Sequence, residues 1–272
     1  MLESILIPVA IVSGLGLVAG VGLSIATIVF QVPVNEKEEK VRSFLPGINC
    51  GACGFSGCDG YAKALADGTA EANLCAPGGA EVRQEISALL GVTADEQRPT
   101  AAFVGCNGHC ELTSKKMNYQ GAQTCYAANQ VFGGQQACGY GCMGYGDCVQ
   151  ACAYDAIHVV AGVAEVDPLK CVGCLQCIAA CPKQLISMKP VTGAPVVACR
   201  NLDKGGAVRK ICDVGCITCS RCVKACPTDA IAIVDNVAVI DPDKCINCGA
   251  CQEACPQDCI VEVLRAKAGM TA

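Results

Sequence analysis

The chain has no Trp, two His and few aromatic side chains of any kind, six Tyr and five Phe in 272 residues. Too few large rings are present for a core built around Phe and Trp, so something else must occupy interior space. With only His109 and His158, haem ligation and mixed Cys/His zinc chemistry have few candidate ligands. No basic stripe with interleaved aromatics marks a nucleic-acid-binding surface. Charge of either sign is missing altogether between Ser4 and Asn35.

What the chain has in excess is cysteine, 26 residues. Such a share usually belongs to small secreted disulfide scaffolds. This chain is several times longer, and its cysteines fall in tight C-x-x-C-x-x-C runs. Thiols so close on one short loop cannot all find separate disulfide partners, but they can all face one metal cluster. The formal charge of −5 counts Cys as neutral. An oxidised [4Fe–4S] cluster with four thiolates carries about −2, so five would bring the total to roughly −15.

The uncharged run Ile5–Phe30 covers 26 residues, enough to cross a bilayer with some tilt. A cleaved signal peptide would need a basic start and a shorter apolar stretch, whereas this chain starts Met1-Leu2-Glu3. Lys37, Lys40 and Arg42 follow the run, so the positive-inside rule orients the remainder toward the cytoplasm, as a single-pass plasma-membrane protein. That reducing compartment keeps thiolates available for iron. Gly16 and Gly20 lie at small-xxx-small spacing, a face suited to a partner helix.

Sliding the chain against itself reveals a repeat at an offset of 74 residues. Cys125, Cys138, Cys142, Cys148 and Cys152 fall on Cys199, Cys212, Cys216, Cys222 and Cys226, and Cys171, Cys174, Cys177 and Cys181 fall on Cys245, Cys248, Cys251 and Cys255. Between the cysteines each copy reads as two short strands around a turn, at Ala161-Gly162 and at Asp235-Asn236. The expected organisation is an anchor over 1–34, a one-cluster domain over 35–90, a linker or insert over 91–124, and repeats over 125–198 and 199–272. Ala80–Leu90 reads as a short amphipathic helix.

The strongest signals are Cys171-x2-Cys174-x2-Cys177-x3-Cys181-Pro182, Cys216-x2-Cys219-x2-Cys222-x3-Cys226-Pro227 and Cys245-x2-Cys248-x2-Cys251-x3-Cys255-Pro256. Zinc ribbons instead use two separated C-x-x-C pairs around one tetrahedral ion. Nearer the apolar run stands Cys50-x2-Cys53-x4-Cys58-x16-Cys75, a further four-thiol set for one cluster.

The three longer runs resemble bacterial two-cluster ferredoxins, and the resemblance covers both repeats. It implies crossed ligation, with Cys216, Cys219, Cys222 and Cys255 on one cluster and Cys245, Cys248, Cys251 and Cys226 on the other. In the first copy it implies a cluster on Cys171, Cys174, Cys177 and Cys152. The remaining site departs from the pattern, because Tyr145 stands where the other copy has Cys219 and Ala153 replaces the following Pro. Cys138 is the expected substitute, giving Cys138, Cys142, Cys148 and Cys181; loss of that cluster is the competing reading. Six thiols are left, Cys106, Cys110, Cys125, Cys199, Cys212 and Cys259. Cys259 reads as an ordinary buried thiol, and four of the other five are enough in number for a sixth cluster.

The order of anchor helix, Cys50–Cys75 domain and ferredoxin-like repeats resembles the B subunit of Rnf complexes in its longer, clostridial form. The fold so implied is one transmembrane helix followed by small α+β iron–sulfur domains, a one-cluster domain and two two-cluster ferredoxin-like domains. The function so implied is electron transfer through five or six [4Fe–4S] clusters within a membrane-bound ferredoxin:NAD+ oxidoreductase that couples the reaction to Na+ or H+ pumping. Soluble ferredoxin would be the donor and other Rnf membrane subunits the partners. Two rivals are the ferredoxin-like subunit of a hydrogenase or formate dehydrogenase and a non-redox scaffold with structural zinc. No residue pattern calls for acid, base or nucleophilic catalysis by this chain.

Overall fold

The computed structural model describes residues 2–29, 35–93 and 98–263. The apolar run forms helix α1, Leu2–Val29. Its Val9–Thr27 span has a mean hydropathy of 2.2 and none of it is buried against the rest of the chain. Among the described residues this is the one helix long and apolar enough to cross a membrane. A Cβ added at Gly16 or Gly20 would meet nothing within 4 Å, so the small-residue face has no partner among the described residues.

The one-cluster unit is three helices, α2 (Glu36–Phe44), α3 (Cys58–Ala66) and α4 (Gly79–Leu90). The sequence explains where α2 starts and stops. The Asn35 side chain accepts from the Lys37 amide at 3.1 Å, Glu36, Glu38 and Glu39 face the positive helix end, and Leu45, held extended before Pro46, ends it. Val41, Leu45, Tyr61, Ala62, Leu65, Ala72 and Ile86 pack into one small core. Tyr61, 1 % exposed, donates to the Glu71 carbonyl at 2.6 Å and accepts from the Leu74 amide at 3.2 Å. Its ring thereby ties α3 to the stretch that presents Cys75.

The rest of the chain runs β1 (Thr100–Val104), α5 (Cys125–Gln130), α6 (Asp147–Gln150), β2 (Ile157–Val160), β3 (Val163–Val166), α7 (Gln176–Ala180), β4 (Ile186–Pro190), β5 (Pro195–Val197), α8 (Gly205–Ile211), α9 (Arg221–Ala225), β6 (Ile231–Val234), β7 (Val237–Ile240), α10 (Ala250–Glu253) and β8 (Ile260–Glu262). The expected hairpins are present: β2 pairs with β3 and β6 with β7, both antiparallel. Their turn residues all have positive φ, Ala161 and Gly162 in one hairpin, Asp235 and Asn236 in the other. That is the geometry whose twist matches tightly linked strands.

Two further antiparallel ladders join the ends of each unit, β1 with β4 and β5 with β8. Residues 100–104, expected in the linker, are therefore the first strand of one ferredoxin-like unit. Residues 195–197, expected at the end of the first repeat, open the second. The 74-residue offset follows the cysteines and carries no information about these short outer strands, which pair across most of a unit. The insert is also structured beyond β1. The Cys110 amide bonds the Ala161 carbonyl at 3.0 Å, while Ser114 bonds Ile211 and Asp213 bonds Leu112, each at 3.0 Å. One segment is thus hydrogen-bonded to both ferredoxin-like units.

Replacing Tyr61 by Phe removes two hydrogen bonds and leaves the Leu74 amide unpaired in a partly buried site. A loss of about 1–3 kcal/mol is expected. Hydrogen exchange should show faster opening confined to residues 58–90, with β2–β3 and β6–β7 unchanged.

Candidate metal centres

The four ligand loops of the ferredoxin-like units share one backbone path. After the first cysteine of each, the second and fourth residues have positive φ: Gly144 and Gly146, Gly173 and Leu175, Thr218 and Ser220, Asn247 and Gly249. Leu, Thr and Ser rarely adopt that conformation, so the loops are held in it by what surrounds them. The residue three places after each fourth cysteine repeats the pattern, at Asp155, Gln184, Asp229 and Asp258. Left-handed residues in alternation turn backbone amides toward the loop interior, where sulfur can accept. The Ala102 amide donates to Cys171 Sγ at 3.3 Å, Ala230 to Cys226 Sγ at 3.3 Å and Leu185 to Cys181 Sγ at 3.5 Å.

Among the described residues no three Cys, His, Asp or Glu side chains converge as ligands of a single ion would. The thiols instead surround cavities, as a cubane with four separated corner irons requires. Cys152, Cys171, Cys174 and Cys177 line one of about 350 Å³, with Ile157 and Met188 behind them. Cys216, Cys219 and Cys255 are thiol neighbours of Cys222, and Cys245 and Cys248 of Cys251. Cys226 packs on the same core as Cys216, Cys222, Cys251 and Cys255. In the one-cluster unit, Cys50, Cys53 and Cys58 surround Cys75. Asn49 closes that loop by accepting from the Cys58 amide at 2.8 Å. Gly57 (φ 130°) is needed beside it, since a Cβ there would lie 2.9 Å from Asn49 Oδ1.

Electrostatics point the same way. Burial pushes Cys106 and Cys148 up to about 12 and Cys177 and Cys251 up to about 11, with neighbouring thiols adding to the rise. Four thiolates cannot share such a site without cationic iron among them, and loading the iron displaces their protons. Cys259 behaves differently from an idle thiol. Its sulfur lies 3.6 Å from that of Cys255, and hydrogen bonding with it holds Cys216 and Cys255 below the usual thiol range. Cys259 itself is correspondingly raised.

The Tyr145 site is arranged differently from the expected set. Cys142, Cys148 and Cys181 line a cavity of about 400 Å³, and the fourth thiol on it is Cys125, not Cys138. Around Tyr145 the loop keeps its backbone path while its ring turns aside onto Tyr119, edge to face at 5.9 Å. Asp147 supplies the replacement. Its carboxylate accepts from the amides of Cys125 and Tyr126 at 2.7 and 2.9 Å, and Thr124 caps α5 through the Ala127 amide at 3.1 Å. These contacts hold Cys125 at the start of α5, against the cavity. Spacing could not find it, although Thr124 before Cys125 is a legible helix start. Cys138 lines another cavity, with Cys106, Cys199 and Cys212. Cys110 is exposed and donates to the Ala161 carbonyl at 2.9 Å, outside both groups.

Cys125→Ser should therefore remove about four irons per chain and one reducible cluster signal. Cys110→Ser should leave iron content and spectra unchanged. Equal loss from both would contradict the arrangement.

Comparison with known proteins finds iron–sulfur families along the cysteine-rich stretches of the chain. The FeS family, an Fe-S cluster domain, matches residues 45–77, and two 4Fe-4S dicluster domain families match residues 170–231 and 215–259. The B subunit of the Na(+)-translocating ferredoxin:NAD(+) oxidoreductase complex of Acetobacterium woodii is 42% identical over 90% of this chain and 74% of its own length. Its counterpart in the proton-translocating ferredoxin:NAD(+) oxidoreductase complex of Clostridium ljungdahlii is 38% identical over 88% and 85%. That of the ion-translocating oxidoreductase complex of Methanosarcina acetivorans is 40% identical over 89% and 93%. With an apolar N-terminal helix, an iron–sulfur domain behind it and 4Fe-4S dicluster matches after that, the chain belongs to the family of B subunits of ion-translocating ferredoxin:NAD(+) oxidoreductase (Rnf) complexes, which are iron–sulfur electron-transfer subunits.

Proposed function

We propose that the chain receives single electrons from a reduced ferredoxin and relays them through [4Fe–4S] clusters to membrane subunits of an ion-translocating ferredoxin:NAD+ oxidoreductase. Five clusters are assigned here. They are held by Cys50, Cys53, Cys58 and Cys75; by Cys152, Cys171, Cys174 and Cys177; by Cys125, Cys142, Cys148 and Cys181; by Cys216, Cys219, Cys222 and Cys255; and by Cys226, Cys245, Cys248 and Cys251. When bound, such a cluster supplies reversible one-electron storage. The residues of the chain anchor it, exclude water from it and donate hydrogen bonds to its sulfurs.

The observation that carries the reading is that thiol groups adjoin within each ferredoxin-like unit and at the junction with the one-cluster unit. Tyr154 lines the Cys152–Cys177 cavity, and Cys50, Cys75, Cys152 and Cys174 are the thiols around it. Gln176 reaches the Cys50 carbonyl at 3.4 Å across the same junction. Cys148 and Cys177 share one core, as do Cys222 and Cys251. Cys219 and Cys248 are exposed, which supports the C-terminal unit as the face a soluble donor approaches. Helix α1 would cross the membrane beside partner helices, with the soluble units on the cytoplasmic side where Lys37, Lys40 and Arg42 stand. The units are read as 35–93, 98–190 and 191–263.

Reduced ferredoxin added to the anaerobically purified chain should produce low-temperature EPR signals of reduced cubanes. Cross-links to ferredoxin should map to the surface around Cys219 and Cys248. Zinc in place of iron would overturn electron transfer, and cross-links only to residues 49–76 would reverse the direction.

A further inference from the structure

We propose that Cys106, Cys138, Cys199 and Cys212 hold a sixth [4Fe–4S] cluster, and that this cluster is the electronic bridge between the two ferredoxin-like units. The four thiols come from four separate segments: the end of β1, the approach to the Cys142 loop, the end of β5 and the end of α8. They line one cavity, as the two four-cysteine sets of the first ferredoxin-like unit line theirs. The set differs from the one expected from spacing in taking Cys138, which the site beside Tyr145 does not use, and leaving out Cys110 and Cys125.

The lining is built as a sulfur-ligand site is. Asn201, a polar side chain only 2 % exposed, donates through Nδ2 to Cys138 Sγ at 3.3 Å and is held by accepting from the Asp203 amide at 2.8 Å. The Cys142 amide donates to Cys106 Sγ at 3.4 Å, and the Gly108 amide also serves Cys106. Amides of Asn201 and Cys216 serve Cys199, and those of Val214 and Gly215 serve Cys212. A Cβ on Gly108 would stand 3.3 Å from Cys212 Sγ and 2.6 Å from Thr113 Cγ2. The absence of a side chain there keeps the space between Cys106 and Cys212 open.

Position gives the site its role. Cys106 accepts from the backbone of Cys142, a ligand of the last cluster of the first unit. Cys199 accepts from the backbone of Cys216, a ligand of the first cluster of the second. One hydrogen bond separates the bridge from a ligand on either side. Held by Cys106, Cys138, Cys199 and Cys212, a cluster would supply one-electron storage between the ligand Cys216 on one side and the ligand Cys142 on the other, with no bond broken and no proton moved.

This inference rests on the multi-cluster relay proposed above, and the test separates the two. Full-length chain purified anaerobically should hold about 24 irons, and Cys212→Ala about 20 with the other cluster signals intact. Freeze-quenching after mixing with reduced ferredoxin should show all clusters of the wild type reduced. In Cys212→Ala only the C-terminal pair should be reduced on that timescale. No reduction even in the wild type would sink the relay itself. Wild-type iron of about 20 that Cys212→Ala leaves unchanged, or reduction in the variant spreading at the wild-type rate, would overturn the bridge alone. Should Cys212→Ala not fold, Asn201→Asp serves in its place. It removes the donor to Cys138 while keeping an acceptor for Asp203, and should lower the potential of one cluster at full iron content. No potential moving would count against the site.

Discussion

Sulfur held by the backbone is the interaction on which the rest of this protein depends. Burial favours the neutral thiol unless a cation joins it, and this chain gathers its thiols, most of them buried or half-buried, in groups of four. Iron satisfies them, and the loops adopt left-handed residues such as Leu175, Thr218 and Ser220 to turn amides toward sulfur. Cluster binding and folding are in consequence one process, as in other small metal-bound domains. The hairpins and short ladders are too small to be stable units without it.

The same constraint explains the composition. Inorganic cubanes fill space that aromatic rings would otherwise occupy, and each also ties together segments distant in sequence. Cys142, Cys148 and Cys181 meet Cys125 across the loop that Tyr145 interrupts. The cavity of Cys106, Cys138, Cys199 and Cys212 gathers both ferredoxin-like units, and the segment following Cys106 hydrogen-bonds to each of them. Tyr154 and Gln176 mark the corresponding junction with the one-cluster unit. Structural joint and proposed electron path coincide at each of these places.

Much of this was legible in the sequence because cubane ligation is local. Three ligands in seven residues fix a loop whatever surrounds it, and paired turn residues such as Asp235-Asn236 fix a hairpin. Helix α4 and the membrane-length helix α1 were equally readable from periodicity and length. What spacing could not reveal is tertiary exchange. Cys125, not the nearer-spaced Cys138, lines the cavity with Cys142, Cys148 and Cys181, because the Asp147 carboxylate holds the start of α5 beside it. Strands β1 and β5 were hidden for a related reason, since their partners lie some 65 to 90 residues away and are three to five residues long. Cys259 is buried, as expected from sequence, and its sulfur sits 3.6 Å from that of Cys255, a contact that spacing could not show.

The central claim is that cysteines in fours hold cubanes in an unbroken series. The most direct measurement is a Mössbauer spectrum of the full chain, enriched in ⁵⁷Fe and purified anaerobically, taken before and after reduction. The account predicts that essentially all the iron appears as mixed-valence pairs of [4Fe–4S] clusters, which become paramagnetic on one-electron reduction. Iron present as isolated tetrahedral ferrous ions would contradict it.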